Sequence, residues 1–214
     1  MAVSLLIILS VVVIFAGSRL YSQYREQVIR TEESQLLTMA GIVGNNLNSY
    51  MEQQLEEIDL FYSQEGMPEN VWAEYGGINA RTAYFLKNNA GVYNWITVTE
   101  PDGTKFRYEP GKKTFRESAD GEVKAVASQD GNHPAEITGK EISDQTGWYE
   151  LYIEKNVPVG SKVYVLTFAM DLGALYEKIV APVKIGEAGY SSVKDQNMNI
   201  IMHHVKNQIG LKAV

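Results

Sequence analysis

The chain contains no cysteine, which removes disulfide frameworks, thiolate metal sites and cysteine nucleophiles together. That absence leaves the compartment open, since exposed bacterial surfaces and the cytosol both hold cysteine-free domains. Histidine is scarce as well. His133, His203 and His204 lack metal-ligand spacing, and adjacent strand residues point to opposite faces, so His203 and His204 are poorly placed to grip one ion. No metal and no cofactor are expected. Basic charge is in deficit: 19 Lys and Arg against 26 Asp and Glu give a formal net charge of -7, which argues against nucleic acid as a partner. No glycine-rich phosphate loop precedes a helix, so nucleotide chemistry has no support. The nearest approach to a catalytic motif is Gly189-Tyr190-Ser191-Ser192-Val193. There valine stands where a nucleophile elbow needs its second glycine, so a secreted hydrolase is the weakest of the readings and no enzyme activity is expected.

What is present is an ordinary globular composition, 45% hydrophobic and 21% charged, on a chain of 214 residues. That length holds one medium domain, or one domain and a fragment of another. Ala2 to Gly17 is uncharged and interrupted only by Ser4 and Ser10. With Met1 and the stretch 18–21 at its interfaces it approaches the 20 or so residues of a membrane span, and we expect a transmembrane anchor over 1–21. A cleaved signal peptide is the rival, but no Lys or Arg precedes the run and Ile14 with Ala16 makes a mediocre cleavage site. The basic residues nearest the run, Arg19, Arg25 and Arg30, all follow it. Taken alone, that charge pattern puts the body of the protein in the cytoplasm.

Proline is missing from Leu20 to Tyr62, and apolar residues recur at 36, 40, 43, 47, 51, 55, 58 and 61, a single helical stripe. We therefore expect one long helix over 22–63, ended by Gly66 and Pro68, packing on its own domain, on a second copy of the chain, or on both. Short helices follow over 69–90, clearest from Arg81 to Lys87. The period then changes to two. Tyr93 to Glu100, a Pro101-Asp102-Gly103 turn and Thr104 to Tyr108 read as a β-hairpin. Residues 110–146 read as edge loops with a short strand at Glu122 to Ala127. A second hairpin runs from Trp148 to Glu154, through Val157-Pro158-Val159-Gly160, into Lys162 to Met170, whose apolar residues on both faces mark a central strand. Asp171 is placed to cap a helix over Leu172 to Val180. A third hairpin is expected from Gly189 to Asp195 and Ile200 to His204.

This order of elements, together with VKIG at Val183 to Gly186, GYSSV at Gly189 to Val193, IIMHH at Ile200 to His204 and QIG at Gln208 to Gly210, resembles the PAS-like Cache family of extracytoplasmic sensors. Asp195 and His203 match the family pattern, whereas His204 stands where proline is usual. TFAMDLGAL at Thr167 to Leu175 is similar to the family's strand that ends in aspartate and enters a short helix. The resemblance implies an α+β fold: a long N-terminal helix packed on a PAS-like antiparallel sheet, a membrane-distal module over 64–181, and the start of a truncated membrane-proximal module over 182–214. It also implies a double-Cache receptor of histidine kinase, diguanylate cyclase or chemoreceptor type, with its body outside the inner membrane, against the literal charge rule. The implied partners are a small extracellular solute, the membrane and a second copy through the long helix. A membrane-tethered binding or scaffold module without signalling output is the alternative. By analogy with the family, Tyr108, Trp148, Tyr152 and Asp171 lie near the ligand pocket, with Arg116 a further candidate for a ligand carboxylate. Aromatic rings supply rigid walls with a polar edge, and a carboxylate holds an ammonium group. The arginine followed closely by a Trp-Tyr pair that the family's amino-acid-binding members share is absent, which leaves amino acids unsupported as ligands, and the plain alternative makes Trp148 and Tyr152 ordinary aromatics and Asp171 only a cap.

Overall fold

The computed structural model describes residues 2–62, 76–112, 115–117, 133–185 and 189–213, with the side chains of 1–13 and 115–117 outside that description. Two compact units emerge, Met1–Asn45 and Asn46–Val214. The first is helix, the opening part of α1 (Ala2–Tyr62). The expected anchor falls largely on residues 1–13, outside the described side chains; among the described residues no helix is long and apolar enough to cross a membrane.

In the second unit, the last turns of α1 and α2 (Gly77–Asn88) lie on one face of a six-stranded antiparallel sheet. The strands are β1 (Tyr93–Thr99), β2 (Lys105–Tyr108), β3 (Phe115–Glu117), β4 (Glu136–Ile142), β5 (Tyr149–Val159) and β6 (Lys162–Asp171). They run in the spatial order β3-β2-β1-β6-β5-β4, so the doubly apolar strand is indeed central. Because strand residues alternate in facing, Ile96, Val98, Phe168, Leu166, Met170, Ile153 and Val157 all point toward the helices. There they meet Ile58 and Tyr62 of α1 and Phe85 of α2, and Tyr62, Phe85, Tyr93 and Phe168 form a ring cluster in which Phe85 and Phe168 each touch the other three, with centroids 5.6–5.9 Å apart. Burial pushes the Tyr62 and Tyr93 hydroxyls well above the ordinary phenol range, and each is satisfied within the core, Tyr62 on Thr82 and Tyr93 on Gln54.

One buried charge crosses this interface. Lys155, 3% exposed, reaches from the helix side of β5 to Asp59 of α1 at 2.9 Å and donates to the His133 carbonyl at 2.8 Å. The same Asp59 oxygen accepts from the Ala135 N–H at 2.8 Å.

The first hairpin forms as expected, its turn fixed by Gly103 at φ 86° and by the Asp102 carboxylate accepting from the Thr104 N–H. The second differs. β5 continues through Pro158 to Val159, and the turn is the pair Gly160-Ser161, with Gly160 at φ 59°. Pro158 is tolerated because the pair closing a two-residue hairpin, Val159–Lys162, is hydrogen-bonded, so the next pair, Pro158–Val163, directs its backbone away from β6. β4 ends its pairing at Glu154, so among the described residues no strand pairs with Pro158 on that side of β5. The reading of 110–146 as loops is also corrected, since it contains β3 and β4. β4 is an exposed edge strand whose residues carry no buried alternation to betray it. The strand expected at 122–127 lies outside the described residues, as do 63–75 and the helix-ending Gly66 and Pro68.

Asp171 caps α3 (Leu172–Leu175), which continues as a π-helical turn over Tyr176–Val180 rather than as regular helix. The third hairpin is shorter than expected: β7 (Val193–Lys194) and β8 (Ile200–Met202) make a separate two-stranded sheet. Asp195 holds its turn, accepting from the Asn197 and Asn199 N–H groups and from Asn199 Nδ2, and pairs with Lys140 of β4 at 2.6 Å. Lys140 and these donors hold the Asp195 carboxyl well below the usual carboxylate range.

Candidate functional site

The sheet face turned away from α1 carries a different chemistry. The register sets Trp95 opposite Ala169, Tyr152 opposite Ala169 on the other flank, Thr97 opposite both Thr167 and Arg107, and Glu150 opposite Asp171. These residues therefore share one face across β2, β1, β6 and β5. Small side chains on the central strand leave room for large ones on its neighbours. The Trp95 and Tyr152 rings meet over Ala169 with centroids 5.6 Å apart at 48°. A bulge between Tyr93 and Trp95 lets Tyr93 enter the core while Trp95 turns to this face.

Glu150 is the centre of the arrangement. It is 6% exposed, and its two oxygens accept from Asn94 Nδ2 at 2.8 Å and Trp95 Nε1 at 3.1 Å. Both donors are neutral. Arg107 lies over the Trp95 ring, 4.3 Å from its centroid, and its Nε pairs with Glu109 at 3.0 Å; Lys112 also bonds Glu109, and the two cations hold that carboxyl below its ordinary range. Tyr152 donates to Glu141 at 3.1 Å, and burial together with that carboxylate pushes its hydroxyl up to about 12.

Asp171 closes the end of the face. Its carboxylate accepts from the Gly173 N–H at 2.8 Å. Burial, reinforced by Glu150, raises its carboxyl above the ordinary value, while the Gly173 and Ala174 N–H groups and Lys206 oppose the rise. Trp148, 7% exposed, packs beside it, against Gly173 and against the Tyr176 ring at 5.2 Å. The approach is tight: a Cβ on Gly173 would lie 2.7 Å from the Trp148 ring atoms.

Of the five residues singled out from the sequence, the structure brings Trp148, Tyr152 and Asp171 to this region. Tyr108 stands opposite Ile96 on the helix side of the sheet, a core ring whose hydroxyl burial and Glu100 push up to about 12. Arg116 pairs in register with Phe106, and its side chain lies outside the described residues. Sequence reasoning missed Asn94, Trp95, Arg107 and Glu150. A signal for Glu150 was available, since it alternates with Tyr152 and Glu154 along β5. Among the described residues no three acidic or histidine side chains gather as a metal site. His203, 6% exposed, is occupied locally: its Nδ1 accepts from the Val205 N–H at 3.0 Å, and its ring lies edge-on to Tyr190 and tilted against His204.

No family model and no curated protein matches the chain. Solved structures do. The extracellular domain of vpHK1S-Z8, named as a histidine kinase, superposes with a TM-score of 0.60 at 14% identity, covering 85% of this chain and 73% of that one. The ligand-binding domain of the Pseudomonas aeruginosa PAO1 amino acid chemoreceptor PctB matches in two complexes. With L-Arg the TM-score is 0.53 at 16% identity over 84% of this chain and 74% of that one; with L-Gln it is 0.51 at 16% over 81% and 69%. Identities this low speak for the fold alone. A long helix on an antiparallel sheet, shared with the extracellular domain of vpHK1S-Z8 and the ligand-binding domain of PctB, gives this chain a Cache-like fold.

Proposed function

We propose that the chain is the extracytoplasmic, solute-sensing region of a bacterial transmembrane signalling receptor, of histidine kinase, diguanylate cyclase or chemoreceptor type. The observation that carries this reading is the sheet face remote from α1, where two aromatic rings and two carboxylates, Trp95, Tyr152, Glu150 and Asp171, converge without forming a catalytic constellation. Rings of this kind wall an apolar cleft, and a carboxylate fixes a cationic nitrogen within it. Trp148 closes one end of the site. The opposite face of the same strands grips α1, so a solute that favours one sheet geometry also biases the helix, and α1 carries the change toward the membrane. A second copy of the chain packs along α1, where Leu36, Leu37, Met39 and Ile42 are exposed.

The test is a thermal-shift screen of the full chain in detergent against a broad panel of small solutes. A solute at about a hundred times its Kd adds about 2.7 kcal/mol. For a domain of this size that raises Tm by about 5–10 °C. Trp95→Ala should abolish the shift while leaving the unliganded protein folded. A panel without any shift removes the proposal.

A further inference from the structure

The C-terminal hairpin carries a titratable ring, one nitrogen of which faces a donor and an acceptor at once. His203 directly follows β8 and is 6% exposed. Its Nδ1 lies 3.0 Å from the Val205 nitrogen and 3.2 Å from the Val205 carbonyl oxygen. It cannot serve both in one protonation state. With the ring hydrogen on Nε2, Nδ1 accepts from the Val205 N–H. An imidazolium carries hydrogen on both nitrogens, so it must give up that N–H and turn to the carbonyl. We infer that His203 is a pH-sensitive switch, and that its protonation releases the latch joining the β7–β8 sheet to the turn between β4 and β5, whether or not a solute occupies the first sheet.

Val205 is where that latch begins. It precedes the 3-10 helix Lys206–Gln208, and its carbonyl accepts from the Gln208 N–H at 3.0 Å. From this helix Lys206 donates to the Thr146 carbonyl, between β4 and β5, at 3.1 Å. Gly210 follows at φ 85°, its N–H on the Ile200 carbonyl at 2.8 Å. It sits so close to the end of β4 that an added Cβ would lie 2.9 Å from the Ile142 side chain. Protonated Nδ1 strands the Val205 N–H and competes with Gln208 for the Val205 carbonyl, so the turn loses bonding at the point from which the latch is hung.

The charged and titratable groups around the ring leave the switch to His203. The His204 and Tyr190 rings lie 4.6 and 4.8 Å from it, centroid to centroid. Two imidazolium rings at that separation repel. β7 contributes Lys194 and the 3-10 helix Lys206, both cations. α3, which packs on β8, has no ionisable side chain among its four residues, and Asp171 at its cap is bonded to the Gly173 N–H. Asp195 on the β7–β8 turn is paired with Lys140, and Asp144 of the β4–β5 turn is exposed. Because the closed turn occupies the Nδ1 lone pair and the open turn frees it, opening and proton uptake are coupled, and protection falls as pH falls.

The test is amide hydrogen exchange of the full chain in detergent at about pH 7.5 and about pH 5.5, on either side of the range in which histidine takes up its proton. Rates are corrected for the intrinsic pH dependence of exchange. One proton taken up on opening changes the opening constant by at most about tenfold per pH unit. The Val205, Gln208, Ile209 and Gly210 amides of the wild type should lose about tenfold protection or more over this interval, while those of β5 and β6 hold. His203→Asn keeps an acceptor near the Nδ1 position and does not titrate, so protection of the same amides should change by less than about threefold. His204→Asn should keep the wild-type response. Protection independent of pH in the wild type, or an undiminished loss in His203→Asn, overturns the proposal, as does a response abolished by His204→Asn alone. If His203→Asn fails to fold, nitrogen NMR of the wild-type ring decides. An Nδ1 that is bare at the higher pH and gains its hydrogen in step with the loss of protection supports the switch; an Nδ1 in the same state at both overturns it.

Discussion

Asp59→Ala should damage the protein far more than Lys155→Met, although both delete one half of the same ion pair. The Lys155 side chain is 2% exposed and that of Asp59 29%. Removing Asp59 leaves a buried ammonium with the His133 carbonyl among its remaining partners and takes the acceptor from the Ala135 N–H. Stranding a buried charge in this way costs about 3–5 kcal/mol. Lys155→Met instead replaces the buried charge with an apolar chain of similar length, and Asp59, partly exposed and still bonded to Ala135, keeps its solvation. Such replacements are close to neutral, within about 1 kcal/mol. Equilibrium urea unfolding of the full chain, followed by tryptophan fluorescence, reads the difference. With an m-value of about 2–3 kcal/mol/M, the midpoint should fall by about 1–2.5 M in Asp59→Ala and by less than half of that in Lys155→Met. Lys155→Met should also rescue Asp59→Ala in the double mutant. Equal losses in the two single variants, or no rescue, would refute the idea that the pair is a buried pin between β5 and α1.

Three further outcomes follow from the geometry. Gly173→Ala pushes a methyl to 2.7 Å from the Trp148 ring and should cost about 1–3 kcal/mol by overpacking, visible as a lower Tm and a shifted tryptophan emission. Asp171→Ala loses the cap to the Gly173 N–H, about 1 kcal/mol, whereas Asp171→Asn keeps an acceptor, removes a charge that burial and Glu150 disfavour, and should melt at or above the wild-type temperature near neutral pH. Asp195 is held low in the folded protein, so its contribution is present above the unfolded carboxylate pKa and is lost as pH falls through the folded value; an acid titration of Tm should fall less steeply in Asp195→Asn than in the wild type.

Much of this fold is legible because its signals are local. The Pro101-Asp102-Gly103 turn and the alternation on either side of it define the first hairpin, and Asp171 before Leu172 marks the next helix start. Elements without local signals were lost. β4 lies on an edge with nearly every residue exposed, so burial writes no pattern into it. Proline in β5 suggests a turn, and a strand accommodates it because among the described residues no strand pairs with Pro158 on its outer side. That one displacement also hid the site. With the turn at Gly160-Ser161, the register puts Glu150 against Asp171 and Tyr152 against Ala169; with the turn earlier, those cross-strand partners are not recoverable, although the shared facing of Glu150 and Tyr152 is. Trp95 was hidden by the bulge beside Tyr93, which breaks the simple parity of β1.

The account stands on a solute occupying the face that carries Trp95, Glu150, Tyr152 and Asp171. Hydrogen exchange of the full chain, with and without the solute giving the largest thermal shift, addresses it most directly. Exchange should slow in residues 149–154 and 167–173 by at least about tenfold at saturation. Slowing confined to other segments, such as the β7–β8 hairpin, would contradict the account.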